Sequence, residues 1–113
     1  MTTVRFGPTF TRLARKLQRK YARTLLVVEK LADQLEAGNT PGDRIQGLSK
    51  VVYKVRLPNP DANRGKSGGY RVIYYIKTTD SIILLLIYAK VAVENVSVAL
   101  IEEAIQEVDN LES

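Results

Sequence analysis

The spacing of apolar residues predicts two helices in the first third of the chain. The first follows a cap at Thr9, and the second runs over residues 23–37 and ends before Gly38, a natural helix stop. Positions three and four apart share one side of a helix. The sides that we expect to be buried carry Phe10, Leu13, Ala14, Leu17 and Tyr21 in the first helix and Leu25, Val28, Leu31, Ala32 and Leu35 in the second.

Four segments have the composition and alternation of β-strands. The first is short, at Thr3–Phe6, and the others follow the two helices at residues 51–57, 70–77 and 82–88. Residues 82–88 are apolar throughout, which is typical of a central strand covered on both faces. The polar loop at residues 58–69 has ends that can close a long antiparallel hairpin.

A last helix is predicted after a cap at Ser97, with Ile101, Ala104, Ile105 and Val108 on one side. The order of elements is therefore β-α-α-β-β-β-α. This order predicts an α+β fold, an antiparallel sheet with two N-terminal helices and a C-terminal helix packed on it. Residues 1–113 correspond to a single domain, without repeats.

Composition excludes several kinds of chemistry. The chain has no cysteine and no histidine, which rules out disulfides, thiolate zinc sites, a cysteine nucleophile and a Ser-His-Asp triad. Catalysis would have to use Lys, Arg, Tyr, Asp, Glu or bound water, and we expect neither metal nor cofactor. The start of the chain lacks the apolar run of a signal peptide, and the longest apolar run is too short for a bilayer. The expected location is the cytoplasm.

Charge is unevenly distributed along the chain, whose net charge is +5. Residues 1–30 contain eight Lys and Arg against one acid, and residues 50–90 contain eight against two. Six acids and no base follow Lys90. Such segregation favours a surface that binds polyanions and an acidic opposite side. An ordinary solvated basic face explains the same pattern, so charge alone does not decide between them.

The cations of the predicted strands are the strongest candidates for chemistry. Residues 64–71, RGKSGGYR, do not form a Walker A phosphate loop, because the upstream glycine is missing and a strand follows instead of a helix. If the strands pair as a meander, cations on one face converge and bind phosphate by charge-assisted hydrogen bonds. The set consists of Lys54, Arg56, Arg71, Tyr88 and Lys90 on the strands, with Arg64 and Lys66 on the loop above.

Two simpler explanations stay open for these residues. Charges on strands often serve only to keep a sheet edge soluble. Five tyrosines lie on the predicted strands, where they either stack unpaired RNA bases or, more commonly, pack in the core. Among them, Tyr88 is assigned to the site because it lies one step from Lys90 on the same face.

Four segments carry a family resemblance: GL at residues 47–48, VYKVR at 52–56, RGKSGGYRVIYY at 64–75 and LLLIYAK at 84–90. They resemble the RelE/ParE toxin superfamily, and within it the HigB-like branch, with the order of elements matching over nearly the whole chain. The resemblance implies a microbial-ribonuclease-like fold. It also implies a type II toxin that cleaves mRNA on the ribosome and an acidic cognate antitoxin, through which the complex binds operator DNA.

The resemblance also assigns residues. Catalytic positions of the family match Lys54, Arg56 and Arg71. Two further positions do not carry over, because the family's arginine falls at Val91 and its tyrosine near Ser97. In the HigB-like branch, Arg64 and Lys66 would supply the missing charge.

The expected reaction is attack of a ribose 2′-OH on its own 3′-phosphate, which leaves a 2′,3′-cyclic phosphate and a 5′-OH. Lys54 is the candidate base, since neighbouring cations favour its neutral amine. Arg71 and Arg64 would stabilise the transition state, and Tyr88 or Lys90 would serve as the acid or stack a base. The alternatives are a ParE-like inhibitor of DNA gyrase without nuclease activity, an inactive toxin relic and a plain single-stranded RNA-binding domain.

Overall fold

Within the described residues, three helices and five strands form the fold, in the predicted order apart from one extra strand. The computed structural model describes residues 2–61, 69–90 and 95–111. The elements are β1 (Thr3–Phe6), α1 (Pro8–Lys20), α2 (Thr24–Glu36), β2 (Asp43–Arg44), β3 (Val52–Leu57), β4 (Tyr70–Thr78), β5 (Ser81–Ala89) and α3 (Val98–Leu111). The α+β class is confirmed, and β2 is the addition. None of the described helices has the length and apolarity needed to cross a membrane.

All five strands belong to one sheet, in the order β1-β5-β4-β3-β2. The strands β2 to β5 pair antiparallel with their neighbours, whereas β1 pairs parallel with β5, from Thr3 opposite Ser81 to Phe6 opposite Leu84. The strands β3, β4 and β5 thus form the meander on which the predicted site depends. β1 ends at Phe6, which lies opposite Leu84, so β1 covers only the first half of the β5 edge.

Helices cover both sides of the sheet. Apolar side chains of α1 and α2 pack with Val55, Val72 and Leu84 in one core cluster, on what we call the α1/α2 side. Those of α3 pack with Ile73 and Leu85 in the other, on the α3 side. β5 is buried along nearly its whole length, as its unbroken apolar sequence predicts.

A β-bulge in β5 changes which residues face each side. The register with β4 skips Leu85, which lies between the paired residues Leu84 and Leu86. Leu84 packs on the α1/α2 side, whereas Leu85, Leu86 and Tyr88 all pack on the α3 side. Without the bulge, simple alternation would place Tyr88 on the same side as Leu84.

The sequence predicts caps for two of the helices, at Thr9 for α1 and at Ser97 for α3. The cap predicted at Thr9 is wrong: α1 begins at Pro8 with Gly7 in the cap position, because proline at the first helical position gives up no hydrogen bond. The cap predicted at Ser97 is confirmed, since its Oγ accepts the backbone N–H of Leu100 at 3.1 Å.

The buried side of α2 differs from the prediction at one position. Leu25 was expected to point inward and is instead 40% exposed, while Val27 and Val28 are buried. Thr24, the first helical residue, is fully buried and its hydroxyl lies 2.7 Å from the hydroxyl of Tyr70. This polar contact fixes the rotation of the first turn and directs Leu25 outward.

Candidate phosphate-binding site

Arg56, Arg71 and Tyr88 form a row across three neighbouring strands. Arg56 of β3 lies directly opposite Arg71 of β4, and Arg71 lies directly opposite Tyr88 of β5. Opposed residues send their side chains to the same face, with Cβ atoms about 5 Å apart. Because Tyr88 packs on the α3 side, the whole row lies on that side. We call these three residues the cationic row.

Two lysines extend the cationic row along the strands. Lys54 precedes Arg56 by two residues in β3 and shares its face. Lys90 follows Tyr88 by two residues, just beyond β5, and its backbone N–H donates to the carbonyl of Gly69 at 3.0 Å. This hydrogen bond continues the pairing with the chain that leads into β4. The five predicted strand positions therefore lie on one side of the sheet, with Lys54 and Lys90 on opposite sides of the cationic row along the strand direction.

Burial increases across the cationic row. Arg56 is exposed and Lys54 and Lys90 are half-buried, whereas Arg71 and Tyr88 are each only 9% exposed. Charge–charge attraction is stronger where water is excluded. The inner end of the row is therefore the place where an anion would be held most firmly.

Arg71 is the only charged side chain that is buried among the described residues. Its Nη1 donates to the carbonyl of Tyr70 at 3.1 Å. The ion pairs found within the described ranges are Arg23–Asp61 and Lys77–Asp109, and neither includes Arg71. A buried cation without a carboxylate is energetically costly, and a bound anion removes that cost. This environment suits a phosphate-binding arginine better than a structural one.

Gly69 makes room for the guanidinium of Arg71. A Cβ atom at this position would lie 3.2 Å from Arg71 Nη1 and 2.9 Å from the carbonyl oxygen of Leu57. The second contact is with backbone, which cannot move aside without disturbing the β3–β4 pairing. Glycine just before β4 therefore leaves the space that Arg71 occupies in the candidate site.

Tyr88 is held as a protonated phenol. Burial raises the pKa of the Tyr88 hydroxyl above its ordinary value of 10.0, and the nearby charge of Arg71 offsets part of the rise. At neutral pH the hydroxyl therefore carries its proton. This state suits a hydrogen-bond donor or general acid and excludes a role as general base.

Sequence reasoning missed Asp43, which lies opposite Lys54 in the β2–β3 pair and so points to the same side. No ion pair joins the two side chains. Asp43 therefore adds one carboxylate to the side of the sheet that carries the cationic row. β2 is only two residues long and follows a Pro-Gly turn, so no alternation pattern in the sequence marks it.

The remaining strand tyrosines are packing residues. The rings of Tyr53 and Tyr74 stack with centroids 5.5 Å apart, and Tyr70 is fully buried against Thr24. The hydroxyl of Tyr75 lies 3.4 Å from a carboxylate oxygen of Asp109 in α3. The core interpretation of these four tyrosines is therefore the correct one.

Three positions named by sequence reasoning, Arg64, Lys66 and Val91, lie outside the described residues. Ser97, where the resemblance would require a tyrosine, caps α3 instead. Within the described ranges, no three Asp or Glu side chains group as they would in a carboxylate metal site.

Comparisons with known proteins add no family assignment. The chain matches no protein-family model, and neither curated proteins nor solved structures give a match.

Proposed function

We propose that this chain is the toxin of a type II toxin–antitoxin system, a metal-independent endoribonuclease that cleaves mRNA on the ribosome in the cytoplasm. One observation carries the proposal: Arg71 is buried, has no carboxylate partner among the described residues, and lies directly between Arg56 and Tyr88. Two guanidinium groups beside a protonated phenol suit a phosphodiester that gains negative charge during reaction. The family resemblance of the same strands supports this chemistry.

The cationic row offers groups for each part of a transesterification. The ribose 2′-oxygen attacks phosphorus, the bond to the 5′-oxygen breaks, and a 2′,3′-cyclic phosphate and a 5′-OH result. Arg71 and Arg56 stabilise the dianionic phosphorane. Tyr88 gives its proton to the leaving 5′-oxygen, and Lys54 takes the proton of the 2′-OH when its amine is neutral. Exchange with solvent then restores both residues.

An acidic antitoxin is the proposed partner. Residues 1–30 carry eight Lys and Arg against one acid, and α1 contains no acidic residue. An acidic, largely helical segment would complement this surface, and its association would weaken as salt is added. Binding of the complex to operator DNA would then pass through the antitoxin.

The decisive test is induction of Arg71→Ala in cells, with growth and the 5′ ends of mRNA as readouts. The wild-type chain is expected to arrest growth and to create new mRNA 5′ ends. The variant should lose both, with cleavage reduced at least about a hundredfold because the central phosphate contact is gone. The control is Arg44→Ala, which removes an exposed arginine opposite Tyr53, on the other side of the sheet, and should remain toxic.

Each result separates the proposal from its alternatives. Growth arrest with unchanged mRNA 5′ ends and altered DNA supercoiling would establish the gyrase inhibitor instead. A wild-type chain without toxicity would favour the inactive relic or the simple RNA-binding domain. Full toxicity of Arg71→Ala would exclude Arg71 from the reaction.

A further inference from the structure

Four residues of α1 form a stripe along the helix that begins beside α3. Thr9, Leu13, Lys16 and Lys20 are spaced by four, three and four residues, so they lie along one side of a helix. Thr9 Oγ1 donates to Glu107 Oε1 of α3 at 2.7 Å, and Leu13 packs against both core clusters. The first half of the stripe thus lies between the two sides of the sheet and contacts α3 at Thr9, and the two lysines continue the stripe toward the end of α1.

The two ends of α1 show where these lysines lie along β5. At the start of α1, the backbone N–H of Gly7 donates to the carbonyl of Leu84 at 2.9 Å. Just past its end, the ring of Tyr21 lies 6.1 Å from that of Tyr70, which pairs with Ala89. α1 therefore runs beside the half of β5 that β1 leaves uncovered, and its last turn reaches, on the α1/α2 side, the strand end that carries Tyr88 and Lys90.

Lys16 and Lys20 belong to the basic, exposed part of α1. Both side chains are exposed, α1 has no acidic residue, and neither lysine takes part in an ion pair within the described ranges. Lys20 Nζ lies 5.4 Å from the centroid of the Tyr21 ring, a cation–π contact. Two exposed cations therefore lie in the part of α1 that is level with the end of β5.

We propose that Lys16 and Lys20 bind phosphates of the RNA strand that flanks the scissile phosphodiester, so that the strand leaves the cationic row across the β5 edge and follows α1. The two lysines are one helical turn apart, about 6 Å along the axis, which suits contacts to successive phosphates of an extended strand. This inference rests on the proposed function and adds the path of the substrate. The occupant is a single RNA strand, because the path continues from a site that holds one phosphodiester.

The test compares two double variants that remove the same charge from the same helix. Lys16→Ala/Lys20→Ala changes the stripe beside β5, and Arg15→Ala/Arg19→Ala changes two exposed cations of equal spacing on another side of α1. Binding of an RNA octanucleotide, made uncleavable by 2′-deoxy substitution, is measured by fluorescence anisotropy over a salt series. Each lost phosphate contact lowers the slope of log affinity against log salt by about 0.7, so the lysine variant should lose about 1.4. The arginine variant should lose clearly less.

A dinucleotide that reaches only the cationic row gives the second measurement. Its affinity should be unchanged in the lysine variant and lost in Arg71→Met, which removes the charge and keeps the volume of the side chain. Melting temperatures of both double variants should lie within a few degrees of that of the wild type, since all four side chains are exposed and only the contact of Lys20 with the Tyr21 ring is lost.

The outcomes distinguish the inference from the proposed function. Equal loss of slope in the two double variants, no loss in either, or weaker dinucleotide binding by the lysine variant would overturn the path along α1. Absence of octanucleotide binding by the wild type at low salt would also overturn it. If Arg71→Met still binds the dinucleotide like the wild type, the phosphate site itself, and with it the proposed function, is wrong.

Discussion

At the scale of single residues, burial of the Arg71 charge costs free energy at the candidate site. The residue is largely withdrawn from water, and the hydrogen bond from its guanidinium to the carbonyl of Tyr70 compensates only part of the lost hydration. Gly69 keeps the space that this side chain needs. A residue that destabilises the empty protein and fits an anion is expected where binding, not stability, determines the side chain.

Replacement of Arg71 by methionine should separate stability from function. Met keeps the apolar stem without the charge, so Arg71→Met should raise the free energy of unfolding by about 1 kcal/mol and abolish cleavage. Arg71→Ala is the control, because it also removes the charge but leaves a cavity and should be less stable than Arg71→Met. Urea denaturation measures all three proteins. A clear loss of stability in Arg71→Met would mean that Arg71 has a structural partner.

At the scale of elements, the short strand β2, which has no hydrophobic pattern, lies beside the candidate site. β2 places Asp43 opposite Lys54, and Gly42 leads into it in a left-handed conformation with φ of 98°. A Cβ atom at Gly42 would approach the carbonyl group of Lys54 far inside contact distance. Both the conformation and the close approach require glycine at this position.

Gly42→Ala should therefore be more damaging than the same change at Gly47. Gly47 also has a positive φ, of 85°, but no atom lies near its missing Cβ. Gly47→Ala should cost about 1–2 kcal/mol, the strain of a left-handed alanine. Gly42→Ala should cost more, because β2 must also move away from β3. Thermal and urea denaturation give both values, and equal losses would show that the Gly42 contact relaxes without cost.

At the scale of the whole molecule, helices on both sides of the sheet place three tyrosine hydroxyls out of water. Burial is the main cause that raises the pKa values of Tyr70, Tyr74 and Tyr88 above their ordinary value of 10.0. The folded chain therefore keeps protons that the unfolded chain releases in alkaline solution. This contribution to stability is complete below about pH 10 and is lost as the pH rises toward the folded-state pKa values.

Stability above about pH 10 should accordingly fall less steeply in Tyr74→Phe than in the wild type. The variant loses the hydrogen bond from the Tyr74 hydroxyl to the carbonyl of Pro41, so its stability at neutral pH should be lower by about 1 kcal/mol. Free energies of unfolding from urea titrations at several pH values measure both the offset and the slope. Parallel curves for the two proteins would show that Tyr74 titrates normally.

Much of the fold follows from local patterns in the sequence. The periods of 3.6 and 2 residues place α1, α2, α3 and the longer strands, because these periods depend only on neighbouring residues. The same alternation places Lys54 and Arg56 on one face of β3. The error at Leu25 arose where a buried contact between Thr24 and Tyr70, distant in sequence, determines the rotation of a helix.

The sequence by itself determined the α+β class, the three long strands and the cations that they carry. Only the tertiary structure decided that Tyr88 joins Arg71, because the bulge at Leu85 reverses the alternation of β5, and a uniformly apolar strand gives no sign of it. It also decided that Asp43 lies opposite Lys54 and that α1 lies beside the half of β5 that β1 leaves uncovered. Local periodicity sets the elements, whereas register and edge coverage depend on how distant segments fit together.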